Sequence, residues 1–177
     1  MDFKGSETEA NLRRAFSGEA HTRSKYGLYA EVARREGYEQ LAALFEETAG
    51  NELAHARMWL RALEGLGTTE ENLLDAAGGE HALWTCTYPE MARVAREEGF
   101  PELAARFEGV AQAERAHEVR FMKLLENLRK GQVFQRSGPV LWQCRNCGHL
   151  EWGKGAPAAC PICGAPRGFF QIRAENY

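Results

Sequence analysis

Proline, basic charge and long apolar runs are scarce in this chain of 177 residues, and each scarcity excludes a class of protein. Only 6 prolines occur, and the sequence from the start to Lys130 carries few β-branched side chains, which argues against strands there. The net charge is −3 without a basic stripe, so neither nucleic acid nor an anionic membrane is an expected partner. No apolar stretch can span a bilayer and no signal peptide is evident, so we expect a cytoplasmic protein.

Cysteine is also sparse, and four of the five cysteines form two tight pairs. The pairs are Cys144-x-x-Cys147 and Cys160-x-x-Cys163, each followed by glycine, with twelve residues between them. Two such turns present four thiolates tetrahedrally to one metal ion. Zinc ribbons and iron knuckles share this spacing, so the pattern predicts a metal site and leaves iron and zinc open.

The remaining composition favours helices, because the same sequence up to Lys130 is rich in Ala, Leu, Glu and Arg. We predict four main helices, with residues 65–79 as a crossover connection that contains a short helix. Ser6-x-x-Glu9 has the form of a capping box and predicts the first start. The predicted ranges are 6–35, a second helix that ends near 64, 80–98 and 101–130.

An internal repeat runs through this helical region. Residues 30–64 align on residues 92–126 at a constant offset of 62, and 17 of 35 positions are identical. Glu52-x-x-His55 in the first copy therefore matches Glu114-x-x-His117 in the second. A pair found in both copies is harder to explain as a solvated helix face, which is its ordinary interpretation.

Two further glutamates extend this pattern to the first helix of each copy. Glu19 precedes Glu52 by 33 residues, and Glu80 precedes Glu114 by 34 residues, one more than in the first copy. Hard iron ions prefer several oxygen ligands, and paired Glu-x-x-His motifs mark ferritin-like di-iron and di-manganese bundles. We therefore predict one binuclear metal site. Its ligands are Glu19, Glu52, His55, Glu80, Glu114 and His117.

The difference of one residue between the two spacings has a structural interpretation. Tyr26 and Tyr88 are repeat partners, yet Glu19 precedes its tyrosine by seven positions and Glu80 by eight. An extra residue inside a helix is commonly accommodated as a π-bulge, although a shifted helix start is the alternative. Both tyrosines are candidates to hydrogen-bond to ligand carboxylates, or are simply core residues.

Three other polar residues near the predicted site carry a weaker signal. His21 and His81 stand beside the predicted ligands, but a lone histidine on a helix is more often solvated or packed. Cys86 is the one cysteine outside the two pairs, and most such cysteines are small hydrophobic residues.

The composition changes after Lys130 and predicts a second domain. The predicted domains are a ferritin-like four-helix bundle at 1–131, a linker at 132–139 and a four-cysteine domain at 140–177. We expect Trp142, Trp152, Phe169 and Phe170 to pack around the cysteine turns.

Nearly the whole chain resembles the rubrerythrins, ferritin-like di-iron bundles followed by a rubredoxin domain. The motifs that carry the resemblance are GEA at Glu19, GEH at Glu80, AREEGF, the two Glu-x-x-His pairs, CRNCG and CPICG. The resemblance implies two iron ions on the six bundle ligands and one iron on the four cysteines. It also implies reduction of hydrogen peroxide to water, with electrons relayed through the rubredoxin iron.

The resemblance has further implications for partners. It implies a head-to-tail homodimer and an NAD(P)H-linked reductase or a rubredoxin as electron donor. One departure is Leu83, since rubrerythrins usually place a further carboxylate ligand there, one turn after the equivalent of Glu80. In the family that carboxylate and the histidine of the second helix alternate as ligands of one iron, so His55 is expected to stay bound. Cys86 is also atypical.

Two alternatives to a peroxidase stay open from the sequence. One is a ferroxidase or iron-handling protein that uses oxygen. The other is a metal-binding or electron-transfer protein without turnover, in which Leu83 has abolished catalysis. Zinc in the four-cysteine site would favour the second alternative.

Overall fold

The computed structural model describes residues 2–176, which form two compact units that meet in sequence at Gly67 and Thr68. The first unit is a helical hairpin, and the second contains another helical hairpin and a three-stranded sheet. Across residues 2–176, no helix combines the length and apolar content needed to cross a bilayer. The helices are α1 (Glu7–Arg35), α2 (Glu39–Ala62), α3 (Thr69–Ala82), α4 (Tyr88–Glu97) and α5 (Pro101–Arg129); the strands are β1 (Gln135–Cys144), β2 (Leu150–Gly155) and β3 (Phe170–Ile172).

These elements confirm the mainly α fold class, with four main helices followed by a small cysteine-knuckle module. The third of these helices consists of α3 and α4, joined by a π-helical segment at Leu83–Thr87. Strand β1 begins at Gln135, inside the segment expected to be a linker. The domain boundaries themselves stay a prediction.

The third helix begins eleven residues earlier than the sequence pattern predicts, at Thr69 instead of residue 80. Thr68 and Glu71 form a capping box, in which the Glu71 carboxylate accepts the Thr68 N–H at 2.7 Å. This box satisfies N–H groups that a helix start leaves free. The segment expected as a crossover is therefore mostly helix, and residues 63–68 connect α2 to α3.

The extra residue of the second copy is accommodated as predicted. The Tyr88 N–H donates to the Leu83 carbonyl, five residues earlier, so one turn is wider than an α-helical turn. Helix α4 then continues directly at Tyr88. The bulge restores the repeat register after Glu80, which explains how two spacings lead to equivalent helical hairpins.

Each hairpin closes on a core of three buried alanines near its turn. In the first hairpin these are Ala30, Ala33 and Ala42, and in the second Ala92, Ala95 and Ala104. Their repeat-equivalent neighbours Phe45 and Phe107 cover the two cores. Small side chains at helix contacts allow the backbones to approach closely. The turns end in Gly37 and Gly99, whose φ values of 87° and 84° lie in the left-handed region that favours glycine.

The sheet of the cysteine module has the order β2-β1-β3, and both pairings are antiparallel. Its core contains Trp142, Phe170, Ala156 and two of the cysteines. The Trp142 indole N–H donates to the Gly153 carbonyl at 3.0 Å. Of the four aromatic residues expected to pack around the cysteine turns, Trp142 and Phe170 are buried in this core, whereas Trp152 is 70% exposed and Phe169 is 45% exposed.

Candidate metal centres

The first hairpin brings together three of the predicted ligands. Glu19 lies on α1, while Glu52 and His55 lie one turn apart on α2. The His55 Nδ1 atom is 3.1 Å from a Glu52 oxygen and 3.7 Å from a Glu19 oxygen. Potential ligand atoms of all three residues lie within 4.8 Å of one another. We call this group the first cluster.

The second hairpin repeats this geometry with its own three ligands. Glu80 lies near the end of α3, and Glu114 and His117 lie on α5. The His117 Nδ1 atom is 2.7 Å from a Glu114 oxygen and 3.7 Å from a Glu80 oxygen. This second cluster also fits within 4.8 Å. The six predicted ligands therefore form two equivalent groups of three, and their union in one binuclear site stays a prediction.

The carboxylates of the two clusters differ in their electrostatics. Hydrogen bonding with Glu52 is the largest cause that lowers the pKa of Glu19, and contributions from Trp59 and His55 act in the same direction against burial. Burial is the largest cause that raises the pKa of Glu80, and the charge of Glu114 adds to it. Carboxylates at such short range repel one another unless a proton or a cation lies between them.

The four cysteines converge at the end of the sheet. The Cys144 and Cys163 sulfurs are 3.8 Å apart, and the Cys147 and Cys160 sulfurs are 3.6 Å apart. The two turns have the same hydrogen bonds, because the N–H groups of Gly148 and Gly164 donate to the carbonyls of Cys144 and Cys160. Cys144 and Cys160 are buried, whereas Cys147 and Cys163 are exposed.

The thiols influence one another strongly at this distance. The side chain of Asn146 is the largest cause that lowers the pKa of Cys163, to about 6, and the Ala165 backbone N–H assists it. The backbone N–H of His149 favours the Cys147 thiolate, but the neighbouring thiols and burial together raise its pKa to about 12. Four thiolates in one place need a cation to balance their charge.

The donor atoms fit the metals that the sequence predicts. Two carboxylates and one imidazole in each cluster are ligands suited to iron and manganese, and four thiolates are suited to iron or zinc. In each cluster the imidazole Nδ1 faces the carboxylates, so Nδ1 is the nitrogen placed to bind a metal ion. The Trp59 Nε1 atom beside the first cluster is buried and has no hydrogen-bond partner among residues 2–176. Metal-site hydrogen-bond donors of this kind commonly orient ligand carboxylates.

The weaker candidates occupy different surroundings. The ring centroids of Tyr26 and Phe45 are 6.0 Å apart, and those of Tyr88 and Phe107 are 6.2 Å apart. The hydrogen bonds expected between these tyrosines and the ligand carboxylates stay a prediction. The His81 Nδ1 atom is 3.1 Å from a Glu118 carboxylate oxygen, and the Trp84 indole N–H donates to the same carboxylate. Cys86 is exposed beside the Thr85 hydroxyl.

Sequence reasoning missed Trp59. The repeat contained a signal for this position. Both copies have the Glu-x-x-His pair, but the residue one turn after the histidine is Trp59 in the first copy and Phe121 in the second.

Comparisons with known proteins identify the family to which this chain is similar. The family model Rubrerythrin matches residues 10–125 and 71–140, and the model for the rubredoxin-like domain of rubrerythrin matches residues 142–171. A rubrerythrin of Porphyromonas gingivalis is 44% identical over 188 residues, which cover 99% of this chain and 94% of the relative. A rubrerythrin of Nitratidesulfovibrio vulgaris is 39% identical over 188 residues, with coverages of 99% and 98%. A nigerythrin structure in a mixed-valence state is 28% identical, with coverages of 97% of this chain and 89% of the nigerythrin chain and a TM-score of 0.37.

Proposed function

Because this chain belongs to the rubrerythrin family, whose members carry a di-iron site and a rubredoxin-type iron, we propose that it reduces hydrogen peroxide to water. The family consists generally of oxidoreductases of the peroxidase kind. The observation that carries the proposal is the presence of two carboxylate and histidine clusters in the same chain as a four-cysteine site. A storage protein has no use for an attached four-thiolate redox site.

The proposed ligand sets follow the three groups that the structure describes. The first and second clusters together hold two iron ions, and the four cysteines hold one. Bound iron supplies one-electron changes between its ferrous and ferric states at both kinds of site. Reduction of one peroxide molecule to two water molecules consumes two electrons and two protons, so a pair of iron ions matches the electron count.

The residues of the clusters control charge and access. The side chains of Glu52 and Glu114 are 16% and 15% exposed, so these carboxylates lie largely out of bulk water. Shielding from water strengthens their attraction for cations. The His55 side chain is 52% exposed, which leaves an edge of the first cluster open to a small neutral molecule such as hydrogen peroxide.

The proposal includes partners and location. Electrons come from an NAD(P)H-linked reductase or a rubredoxin and enter through the four-cysteine iron. The protein works in the cytoplasm as a head-to-tail homodimer. The membership of the chain in the rubrerythrin family and its rubredoxin-like module support these assignments.

The test measures peroxide consumption without air by the iron-loaded protein, with NADH and a flavoprotein reductase as electron source. We expect Glu114→Ala and Cys160→Ser each to lower the rate at least tenfold. Glu114→Ala removes a proposed ligand of the iron pair, and Cys160→Ser removes a ligand of the iron through which electrons reach that pair. The exposed His21, which is not among the proposed ligands, provides the control His21→Ala. Iron content is measured for every variant, and we expect the bundle iron to fall in Glu114→Ala only.

Two outcomes would contradict the proposal. Equal peroxide consumption and iron content in Glu114→Ala and His21→Ala would show that the ligands are wrongly placed. Oxygen-dependent oxidation of added Fe²⁺ that proceeds without peroxide consumption would identify a ferroxidase instead.

A further inference from the structure

One buried hydrogen-bond donor beside the first cluster has no complete partner. Trp59 lies on α2, one turn after His55 and two turns after Glu52, and therefore on the same face of the helix. Its side chain is half-buried and its Nε1 atom is shielded from solvent. Among residues 2–176 no acceptor completes a hydrogen bond to this N–H. A buried donor without a partner costs about 1–3 kcal/mol, so such a group needs an explanation.

The acceptor that this N–H influences is the carboxylate of Glu19. Hydrogen bonding with Glu52 is the main cause that lowers the pKa of Glu19, and the Trp59 N–H is close enough to act in the same direction. In the described structure the Trp59 N–H therefore influences Glu19 without completing a hydrogen bond to it. A cation between Glu19 and Glu52 would replace the hydrogen bond between these two side chains and leave a Glu19 lone pair available to the indole.

The repeat supplies an internal comparison for this contact. Phe121 occupies the position equivalent to Trp59 on α5, one turn after His117. Phenylalanine matches the apolar part of the indole but has no N–H group. The ligand atoms of the two clusters are otherwise arranged alike, with the same separation of 3.7 Å between the histidine and the first-helix glutamate. At this position the two copies therefore differ in one hydrogen-bond donor.

We propose that Trp59 is a positioning residue whose indole N–H donates to the Glu19 carboxylate when the first cluster holds a divalent cation. The first cluster consequently binds the cation more tightly than the second cluster, where Phe121 offers no donor. The inference rests on the proposed ligand set, because it takes Glu19 as a metal ligand. Hydrogen bonds from residues behind the ligands change metal affinity about 10- to 100-fold, which sets the size of the expected difference.

The test titrates the full chain with Mn²⁺ after the four-cysteine site has been filled with iron. Free Mn²⁺ is counted from its electron paramagnetic resonance signal. We expect two classes of Mn²⁺ site in the unchanged protein. Trp59→Phe should weaken the tighter class about 10- to 100-fold and leave the weaker class unchanged. Trp152→Phe makes the same chemical change at an exposed position of β2 and should alter neither class.

A second measurement separates positioning from packing. The melting temperature is recorded with and without Mn²⁺, and the gain on binding is compared between the unchanged protein and Trp59→Phe. A loss of packing alone lowers both temperatures and preserves the gain, whereas loss of the donor reduces the gain itself. A preserved gain together with unchanged Mn²⁺ affinity would overturn the proposed role of Trp59.

Glu19→Ala distinguishes this failure from a failure of the proposed function. If Glu19→Ala abolishes the tighter class and Trp59→Phe does not weaken it, the ligand set stands and the role of Trp59 is wrong. If Glu19→Ala leaves both classes intact, Glu19 is not a ligand, and the proposed metal site falls together with the inference.

Discussion

At the scale of single residues, Leu83 affects the expected charge of the proposed iron site, because the resemblance to rubrerythrins implies a carboxylate at this position. It stands one turn after Glu80, at the first position of the π-helical segment, and it is half-buried. A carboxylate at this position would add a negative charge beside the second cluster. With leucine there, the proposed site has four carboxylates for two iron ions. The loss of one negative charge destabilises the ferric ions more than the ferrous ions, because the ferric ions carry the higher charge.

Leu83→Glu restores the missing charge and tests this argument. We expect the reduction potential of the iron pair to fall, because an added carboxylate stabilises the more highly charged ferric state. Potentiometric titration without air measures the potential, and Leu83→Gln provides the control of similar size without the charge. A structure in which the new carboxylate contacts iron while the potential stays unchanged would refute the charge argument.

The sequence could predict which residues form the two clusters because both copies of the repeat contain them at fixed helical spacing. It could not predict that the Trp59 Nε1 atom is buried without a hydrogen-bond partner among residues 2–176, because the direction of an indole N–H depends on packing between α1 and α2. The exposure of Trp152 was missed for a related reason. Alternation along a strand does not tell which side of a small three-stranded sheet is covered.

At the scale of elements, the start of α3 shows where pattern reasoning was incomplete. Residues 65–79 were predicted to be a crossover connection, and the glycines at residues 78 and 79 are unfavourable in a helix interior. The capping box at Thr68 and Glu71 provides a strong start eleven residues earlier, and the helix continues through both glycines. The π-helical segment was predictable because the repeat revealed one extra residue.

Thr68→Ala tests the contribution of the capping box to this helix. The Thr68 side chain accepts the Glu71 N–H, and its loss leaves a helix-start donor without that partner. We expect the free energy of unfolding to fall by about 1 kcal/mol. Urea unfolding followed by circular dichroism measures the change. Thr69→Ala, one position further, is the matched control, and equal losses in both variants would exclude a capping effect.

At the scale of the whole molecule, the carboxylate clusters and the four-cysteine site differ in how they are attached to a hydrophobic core. The carboxylate clusters are held between long helices that have buried alanine cores of their own. The four-cysteine site is different, because Cys144 and Cys160 are themselves part of the small core that includes Trp142 and Phe170. A domain with so small a core depends on its metal for stability.

Metal removal should therefore affect the two parts of the chain differently. We expect acid treatment with a strong chelator to abolish the thiolate-to-iron absorption and the near-ultraviolet signal of Trp142, while helical circular dichroism largely persists. Re-addition of Fe²⁺ under reducing conditions should restore both signals. A retained near-ultraviolet signal of the metal-free protein would show that the sheet folds without metal.

The alanine core of the first hairpin has a mechanical consequence for its metal cluster. The Gly37 turn acts as a pivot, and the stiff helix α2 is a lever arm that extends from it. At about 1.5 Å per residue, Ala42 lies about 7.5 Å along this arm and Glu52 about 22 Å. A displacement forced at Ala42 by a larger side chain is thus amplified roughly threefold at Glu52. A larger residue at Ala42 should therefore move Glu52 away from Glu19 and weaken the binding of a cation by the first cluster.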